Sequence, residues 1–389
     1  MEVKILDTEF KMVGIIDTFI SLIWTDRYNE AGDFELLLPM DIPVLDLIKE
    51  DYYLAIDESE HLMIIEDMTI TTDVEEGRRM KIVGYSLEKI LDRRIVWEKT
   101  VFKKTYADDN DTVGEMPSLQ DAVLQIIKDN ITYPVVTKSD GTKALYSARQ
   151  IKNFIYKKST DEAITKLTIE AQYRGESIYE IISMLCKENQ IGFKITLNDS
   201  NQFVFELYAG ADRTYDQIKN PYVVFSPDND NLFNSAYYRA KSSFKNVVLV
   251  VGEEEKDEAG KTFQSTVVVG NELGIARREI FADGSNIPIQ EDNEITLTDE
   301  QYKAHLKQRG IDTLMDHLEY EALEGEVETT IMYKYGEDFF MGDYVQLEDE
   351  YGHKGKAYIA EFIISQDASG ISMYPTFITL QEGDYDTYE

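Results

Sequence analysis

Few side chains in this sequence have the type and spacing needed for catalysis or metal binding. None of the four histidines, His61, His305, His317 and His353, belongs to an H-E-x-x-H or similar ligand pattern, and G-x-S-x-G, the P-loop and G-x-G-x-x-G are absent. The single cysteine, Cys186, lies in a predicted amphipathic helix, so we expect a buried core thiol. One cysteine excludes an intramolecular disulfide and a cysteine-based zinc site. The sequence therefore predicts no enzyme activity, no catalytic residue, no cofactor and no metal ligand.

Two acidic clusters are the remaining candidates for metal binding. They are Asp108-Asp109-Asn110-Asp111 and Asp228-Asn229-Asp230. Neither fits the EF-hand loop, which needs a glycine at its sixth position and a bidentate glutamate at its twelfth. Whether either cluster binds calcium is left open. The many carboxylates also leave open a pair of acids of the glycosidase kind.

Composition limits the class of protein. A chain of 389 residues with 43% hydrophobic side chains is long enough for two to four folded domains. The net charge of −35 repels nucleic acid phosphates and anionic membranes. The N-terminal residues carry no signal-peptide pattern, and no apolar run is long enough to span a bilayer. We expect a soluble protein, folded in a reducing cytosol and not inserted in a membrane.

The clearest strand pattern lies near the end of the sequence. A Gly-Asp turn at 342–343 precedes three apolar and β-branched runs, at 344–347, 357–364 and 372–380. Runs of this kind, separated by turns rich in aspartate and glycine, predict a meander of antiparallel strands. Three strands cannot bury a face alone, so we expect them to belong to a larger barrel or sandwich.

A similar pattern occurs earlier, between Tyr52 and Gly84. One interpretation is that any two β-meanders look alike at this level. The other, which we adopt, is a duplicated small β-domain, whose two copies contain the segments 52–84 and 344–380. The residues proposed for these equivalent segments are Tyr52, Ile64, Glu66, Ile70 and Asp73 in the first, and Tyr344, Ile359, Glu361, Ile364 and Asp367 in the second.

The sequence between the two meanders mixes helices and strands. Helical apolar spacing predicts helices at 118–131 and 177–189, followed by a hairpin at 192–207, and a later helix at 298–318. The predicted fold class is therefore α+β and rich in β-structure, with two similar small β-barrel-like domains and an inserted or appended α+β region. The predicted domains are 1–95 (first barrel), 96–221 (α+β), 222–383 (second barrel with the late helix) and a short acidic tail at 384–389.

One region is basic, against the trend of the chain. Its cationic residues are Arg78, Arg79, Lys81, Lys89, Arg93, Arg94, Lys99, Lys103 and Lys104. Such a region is either a solvated face that balances local acids or a docking surface for a copy of this acidic protein or for an acidic neighbour. The sequence leaves both interpretations open.

Three stretches resemble the tail-hub, or baseplate hub, family of siphophages, which also forms the N-terminal part of larger tail-associated lysins. They are the strand-to-helix step Gly84-Tyr85-Ser86-Leu87 to Leu91-Asp92-Arg93-Arg94, the strand Phe244-Lys245-Asn246-Val247-Val248 to Val251-Gly252-Glu253, and the late helix that leads to Gly342-Asp343-Tyr344-Val345. The larger relatives continue into a peptidase or fibre region. Because this sequence ends at Gly383 to Glu389, we expect no lytic activity.

The resemblance implies a structural virion protein at the phage tail tip. It would form a homotrimeric ring that caps the tail tube, and two similar domains in each of three chains would match a sixfold tube. The segments 52–84 and 344–380 would then occupy equivalent positions around this ring. The implied partners are other copies of this chain, a distal tail protein or tail-tube ring, the tape-measure protein, and a downstream fibre or receptor-binding protein. An acidic lumen would let DNA pass without specific binding, because its phosphates meet like charge.

Two other classes of protein remain as alternatives. One is a cell-surface or carbohydrate-binding module of a tail, which would bind glycans as a monomer. The other is an acidic glycoside hydrolase, whose turnover would be lost when one carboxylate is replaced.

Overall fold

The computed structural model describes residues 1–39, 47–73, 77–103, 116–256, 262–285, 287, 290–291, 295–296, 299–315, 317, 319–327 and 332–379. Several predicted features lie wholly or partly outside these residues. They include the acidic cluster at 108–111, Lys104 of the basic region, positions 74–76 of the first meander, both ends of the late helix, the end of the second meander at Leu380 and the acidic tail at 384–389.

Strands dominate the chain. In the first part they are β1 (Val3–Leu6), β2 (Met12–Ile16), β3 (Ser21–Arg27), β4 (Asp33–Pro39), β5 (Tyr53–Ala55), β6 (Met63–Asp73), β7 (Gly77–Ser86), β8 (Thr100–Phe102), β9 (Val135–Thr137), β10 (Lys143–Leu145), β11 (Phe154–Lys157), β12 (Ala171–Tyr173), β13 (Gly192–Leu197) and β14 (Phe203–Tyr208). Later come β15 (Val224–Phe225), β16 (Leu232–Ala240), β17 (Val247–Lys256), β18 (Thr262–Val269), β19 (Glu279–Gly284), β20 (Gln290–Glu291), β21 (Ile295–Thr296), β22 (Tyr320–Val327), β23 (Tyr344–Glu348), β24 (Lys354–Asp367) and β25 (Gly370–Thr379).

The described residues contain fewer helices than strands. The α-helices are α1 (Leu119–Ile127), α2 (Glu162–Thr165), α3 (Ile178–Glu188) and α4 (Asp299–Met315), and a π-turn at Lys128–Thr132 continues α1. Turns of 3-10 helix occupy Leu87–Arg93, Ser147–Arg149, Pro227–Asn229 and Gly274–Ala276. The helices predicted at 118–131, 177–189 and 298–318 are thus confirmed, with their ends displaced by a few residues, and so is the hairpin of β13 and β14.

One detail that the residue types predict is wrong. Residues 86–92 predict a short helix capped by Ser86, but the Ser86 side chain makes no capping bond to the 3-10 turn found there. Its hydroxyl instead accepts a 2.7 Å hydrogen bond from the backbone N–H of Gly32. A donor from the loop before β4 has displaced the local capping interaction.

An 11-stranded sheet organises the first part of the structure. Its strand order is β15-β23-β24-β3-β4-β7-β6-β5-β1-β2, and β25 pairs with β24 outside this path. The hairpin of β3 and β4 lies at its centre, and alternate residues of β4 (Phe34, Leu36 and Leu38) are buried. This period of two is the pattern of a sheet with one face packed on a core. Long-range pairing of β24 with β3 joins residues more than 330 positions apart.

The chain divides into two compact units. The first comprises residues 1–233, 326–346 and 356–378, and the second comprises 234–325, 347–355 and 379–389. In the first unit, α1 and α3 bury their apolar faces with β13 and β14 in one core that includes Val123, Ile182 and Phe193. Cys186 is fully buried in this core, as predicted, and burial raises the pKa of its thiol.

The second unit has a small core of its own. There β17 pairs with β18 in antiparallel and with β19 in parallel orientation, and α4 packs on these strands. Tyr302 and Leu306 of α4 lie against Val248 and Val250 of β17. The Tyr302 hydroxyl accepts a 2.7 Å hydrogen bond from the backbone N–H of Glu253, which fixes the helix to the strand.

A β-rich α+β fold is confirmed. The three predicted domain boundaries, near residues 95, 221 and 383, stay a prediction. Strands from the first and last of the predicted domains lie in one sheet, because β24 pairs with β3 along Glu361 to Gln366.

Candidate assembly site

The predicted assembly residues of the first meander lie partly in the core and partly on the surface. Ile64 is buried, Tyr52 and Glu66 are half-buried, and Ile70 and Asp73 are exposed. Glu66 accepts a 2.8 Å hydrogen bond from Nη2 of Arg93, so its carboxylate is held within the chain. Ile70 has 56% of its surface exposed, which makes it the apolar member of this set that could contact another chain.

The second meander shows a similar distribution with a different apolar position. Ile359 and Ile364 are buried, Tyr344 and Glu361 are half-buried, and Asp367 is exposed. Glu361 accepts hydrogen bonds from Nε of Arg27 at 2.6 Å and from the hydroxyl of Thr376 at 3.0 Å. Asp367 accepts one from the backbone N–H of Ser369 in the following turn.

The two meanders flank the same central hairpin. β7 of the first pairs with β4, and β24 of the second pairs with β3. Gly77 and Gly370 begin the last strand of the first and of the second meander. Their φ angles are 80° and 133°, in the left-handed region that glycine favours. Ile70 and Ile364, which hold matching positions in the two predicted segments, differ in burial, because Ile70 is exposed and Ile364 is buried. Equivalence of the two segments in an assembly stays a prediction.

One edge of β6 is open to contact. β5 pairs with β6 only at Met63 and Ile64, so in the described part of the chain no strand pairs with the outer edge of residues 67–72. Met68 and Ile70 are 37% and 56% exposed there. A strand edge with exposed apolar side chains is a surface on which another chain can dock.

The first unit also contains a cavity of about 550 Å³ with several charged lining residues. Among these, Lys194 lies 2.7 Å from Glu60, and Arg213 lies 2.5 Å from Asp343. These contacts pair the charges with one another within the cavity wall.

A buried histidine on the cavity wall was not singled out by the sequence. Nδ1 of His61 lies 3.3 Å from Oε1 of Glu88, and the same oxygen accepts a 2.7 Å hydrogen bond from the backbone N–H of Ile195. Asp26 accepts hydrogen bonds from Ser59 and Trp24. No local motif marks this cluster, because its members come from separate strands and a 3-10 turn.

Burial and charge shift the pKa values of this cluster in opposite directions. Burial alone would lower the pKa of His61, but the charges of Asp26 and Glu88 raise it to about 9. Burial raises the pKa of Asp26. Burial would also raise the pKa of Glu88, but His61 and the hydrogen bonds to Glu88 hold it below its usual value. A charged His61 beside an ionised Glu88 is therefore the stable state near neutral pH.

This cluster predicts a pH-dependent stability. Because the pKa of His61 is raised from 6.5 to about 9 on folding, its stabilisation is complete below pH 6.5 and is lost as the pH rises through 9. We expect the free energy of unfolding, measured with denaturant, to decrease over that range. In His61→Gln this decrease should be much smaller. Equal pH dependence in the two proteins would show that His61 is not the titrating group.

Asp343 braces the turn that opens the second meander. Its buried carboxylate accepts hydrogen bonds from Nε of Arg213 at 2.5 Å and from the backbone N–H groups of Ala211 at 2.7 Å and Phe340 at 3.0 Å. The predicted Gly-Asp turn before β23 is confirmed. Through Asp343 this turn contacts Ala211 in the loop after β14. Gly342, in the same turn, has a φ of 83°.

The structure offers no evident metal site or membrane span in the regions it describes. There, no group of three or more His, Cys, Asp or Glu residues is arranged to hold a metal ion. No helix among the same residues has the length and apolar character needed to cross a bilayer.

The fold belongs to a class seen in phage tail proteins. It is similar to the 43 kDa tail protein of prophage MuSo2 from Shewanella oneidensis, with a TM-score of 0.57 and 12% identity over 100% of both chains. It is also similar to a tail protein from Neisseria meningitidis, with a TM-score of 0.55 and 12% identity over 99% of this chain and 98% of the other. For a prophage tail protein from Listeria monocytogenes the values are 0.51 and 13%, over 100% and 97%. At these identities the likeness shows the fold alone.

The sequence defines the family. Residues 2–377 match the sequence model of the siphovirus ReqiPepy6 Gp37-like proteins, and the chain belongs to that family. Membership of a siphophage tail protein family, which the residue patterns suggested, is thereby confirmed. No curated protein sequence matches the chain.

Proposed function

We propose that this protein is a structural subunit of the phage tail tip, and that three copies form a ring that caps the tail tube. The match to a siphovirus family over residues 2–377 is the observation that carries the proposal. The whole-length likeness in fold to prophage tail proteins agrees with it. The role is one of assembly and not of catalysis.

The two meanders supply the symmetry of the proposed ring. Each consists of three successive strands, and both lie beside the hairpin of β3 and β4. Three chains with two such segments each would present six quasi-equivalent contacts to a sixfold tube. A ring of this kind closes through heterologous contacts, in which one surface of a copy meets a different surface of the next.

The proposed partners follow from the position at the tail tip. The ring would contact a tail-tube ring or distal tail protein on one side and a fibre or receptor-binding protein on the other, with the tape-measure protein in its lumen. The net charge of −35 suits a passage for DNA, because like charge prevents the phosphates from binding. Assembly would begin from subunits made in the host cytoplasm and end in the virion.

The open edge of β6 gives a direct test of ring formation. We expect Ile70→Lys to shift the trimer towards monomer by at least about tenfold in dissociation constant, because a charge replaces an exposed apolar side chain at the proposed contact. The unfolding temperature should stay within a few degrees of wild type. Mass photometry across a concentration series measures the shift.

Ile218→Lys is the matched control for this substitution. Ile218 is 95% exposed in the same unit but lies outside both meanders, so the same chemical change should leave the oligomer intact. Equal effects of the two substitutions, or no effect of either, would remove the β6 edge from the proposed contact. Cryo-electron microscopy of the wild-type oligomer would then show whether the two meanders alternate around one axis.

A further inference from the structure

Three cations of the predicted basic region are neutralised by acids of the same chain. Lys81 pairs with Glu35 at 2.6 Å and Lys89 with Asp92 at 2.9 Å. Arg93 pairs with Asp51 and Glu66 at 3.0 and 2.8 Å. In this part of the basic region the cations balance local acids, which is the first of the two interpretations that the sequence allowed. Arg94 differs from them.

Arg94 and Arg149 form a pair of neighbouring guanidinium groups. Nε of Arg94 donates to the backbone oxygen of Arg149 at 2.9 Å, and Nη1 donates to that of Arg93 at 2.7 Å. Nη2 of Arg149 donates to the backbone oxygen of Ile95 at 2.8 Å. No carboxylate of the described residues pairs with either guanidinium. Burial and then the charge of Arg94 lower the pKa of the Arg149 guanidinium, which stays cationic at neutral pH.

The Arg149 side chain is held in place but incompletely satisfied. Arg149 is only 9% exposed, and its Nη1 has no hydrogen-bond partner among the described residues. Nη1 is itself buried, so an incoming oxygen atom reaches the pair through the half-buried Arg94, while Arg149 contributes its positive charge. The guanidinium lies 4.8 Å from the centre of the Trp97 ring, which fixes its plane.

Two exposed aromatic rings lie beside the Arg149 guanidinium. Trp97 and Tyr146 are 46% and 41% exposed, and their ring centres are 6.4 Å apart in an edge-to-face arrangement. Together with Asp92, Arg93, Ile95, Ala148 and the two arginines they line a depression of about 300 Å³, in which the carboxylate of Asp92 is already paired with Lys89. Its size suits one or two side chains. Paired guanidiniums beside aromatic rings have the composition of a protein contact hot spot.

We propose that Arg94 and Arg149, framed by Trp97 and Tyr146, form a binding site for a carboxylate supplied by a second copy of this chain. Copies with a net charge of −35 repel one another, so a contact between them needs local cations that are not already neutralised. The 74 acidic residues give each copy many carboxylates to present. In a heterologous contact these come from a different surface of the neighbouring copy. The second-copy assignment rests on the proposed ring.

The chemistry of the site can be tested without the ring. Of the two tryptophans, Trp24 is fully buried and Trp97 is 46% exposed, so Trp97 reports on this site by fluorescence quenching and spectral shift. A glutamate-only peptide should change the Trp97 signal saturably, and added salt should weaken the change. A glutamine-only peptide should have no effect. Arg94→Gln and Arg149→Gln should each weaken binding of the glutamate peptide about tenfold or more.

The same variants test the second-copy occupant. Arg94→Gln and Arg149→Gln should shift the oligomer towards monomer, whereas Arg174→Gln, an exposed arginine of the same unit, should not. Arg149 is the more buried of the two arginines, so its variant can fail to fold. In that case the oligomeric state of Arg94→Gln alone decides the test. No response of Trp97 to the glutamate peptide overturns the site. If the variants abolish binding of the glutamate peptide but leave the oligomer unchanged, the occupant of the site is not a second copy. If the wild-type protein is a monomer, the ring itself is contradicted.

Discussion

Replacing Glu88 with alanine is expected to lower the free energy of unfolding by about 3–5 kcal/mol, the usual loss when one partner of a buried ion pair is removed. Glu88 and His61 are both almost completely buried, with side-chain exposures of 2% and 9%. The substitution leaves His61 without the carboxylate 3.3 Å away and leaves the backbone N–H of Ile195 without its acceptor. Chemical denaturation at neutral pH, followed by circular dichroism, measures the loss.

An exposed glutamate provides the matched control for Glu88. Glu162 pairs with Lys166 at 2.6 Å on the surface, where an ion pair contributes about 0–1 kcal/mol, so Glu162→Ala should have little effect. If Glu88→Ala does not fold, Glu88→Gln retains the shape and one acceptor and should lie between the two. A loss below about 1 kcal/mol for Glu88→Ala would contradict the assignment of a stabilising buried pair.

Gly342→Ala is expected to destabilise the protein by about 2–5 kcal/mol, the sum of a left-handed backbone penalty and an overpacking penalty. Gly342 has a φ of 83°, and a Cβ atom there would lie 2.2 Å from a ring carbon of Tyr28. The Tyr28 ring cannot move without disturbing the 3.2 Å hydrogen bond from its hydroxyl to the backbone oxygen of Gln190. The midpoint of thermal or denaturant unfolding reports the effect.

Gly141→Ala separates the two penalties at Gly342. Gly141 has a φ of 80°, but no atom lies within 4 Å of a Cβ placed there, so only the backbone penalty of about 1–2 kcal/mol applies. The difference between the two variants is the contribution of close packing around Tyr28. Equal losses would mean that the turn relaxes away from Tyr28 and that this contact does not fix the start of β23.

Local features were predicted well because their causes are local. The apolar spacing in 177–189 predicts a helix, and the structure has α3 at Ile178–Glu188 with Ile182 and Leu185 buried. The Gly-Asp turn at 342–343 leads directly into β23, as its residue types indicate. In each case the determining contacts lie within a few residues along the chain.

Contacts between distant residues were beyond the sequence pattern. Ser86 resembles a helix cap, yet its partner is Gly32, 54 residues earlier. The His61 cluster joins three separate elements, and nothing near His61 in the sequence indicates a buried partner such as Glu88. Two guanidiniums 55 positions apart, Arg94 and Arg149, become neighbours only when the chain has folded.

The two meanders were predicted, but their arrangement in one sheet was not. Both meanders exist as three successive strands, while the pairing of β24 with β3 places them in a shared sheet. A period-two apolar pattern predicts a strand and its buried face, but it does not state which strand lies alongside. For the same reason the sequence could not distinguish the exposed Ile70 from the buried Ile364.

The mass of the native protein in solution tests the central proposal most directly. Light scattering or mass photometry across a concentration series should detect a species at three times the 44.8 kDa mass of one chain. That species should decrease in Ile70→Lys and persist in Ile218→Lys. A wild-type protein that stays at 44.8 kDa at every concentration, and that also fails to form a ring when mixed with isolated tail tubes, would contradict the trimeric hub.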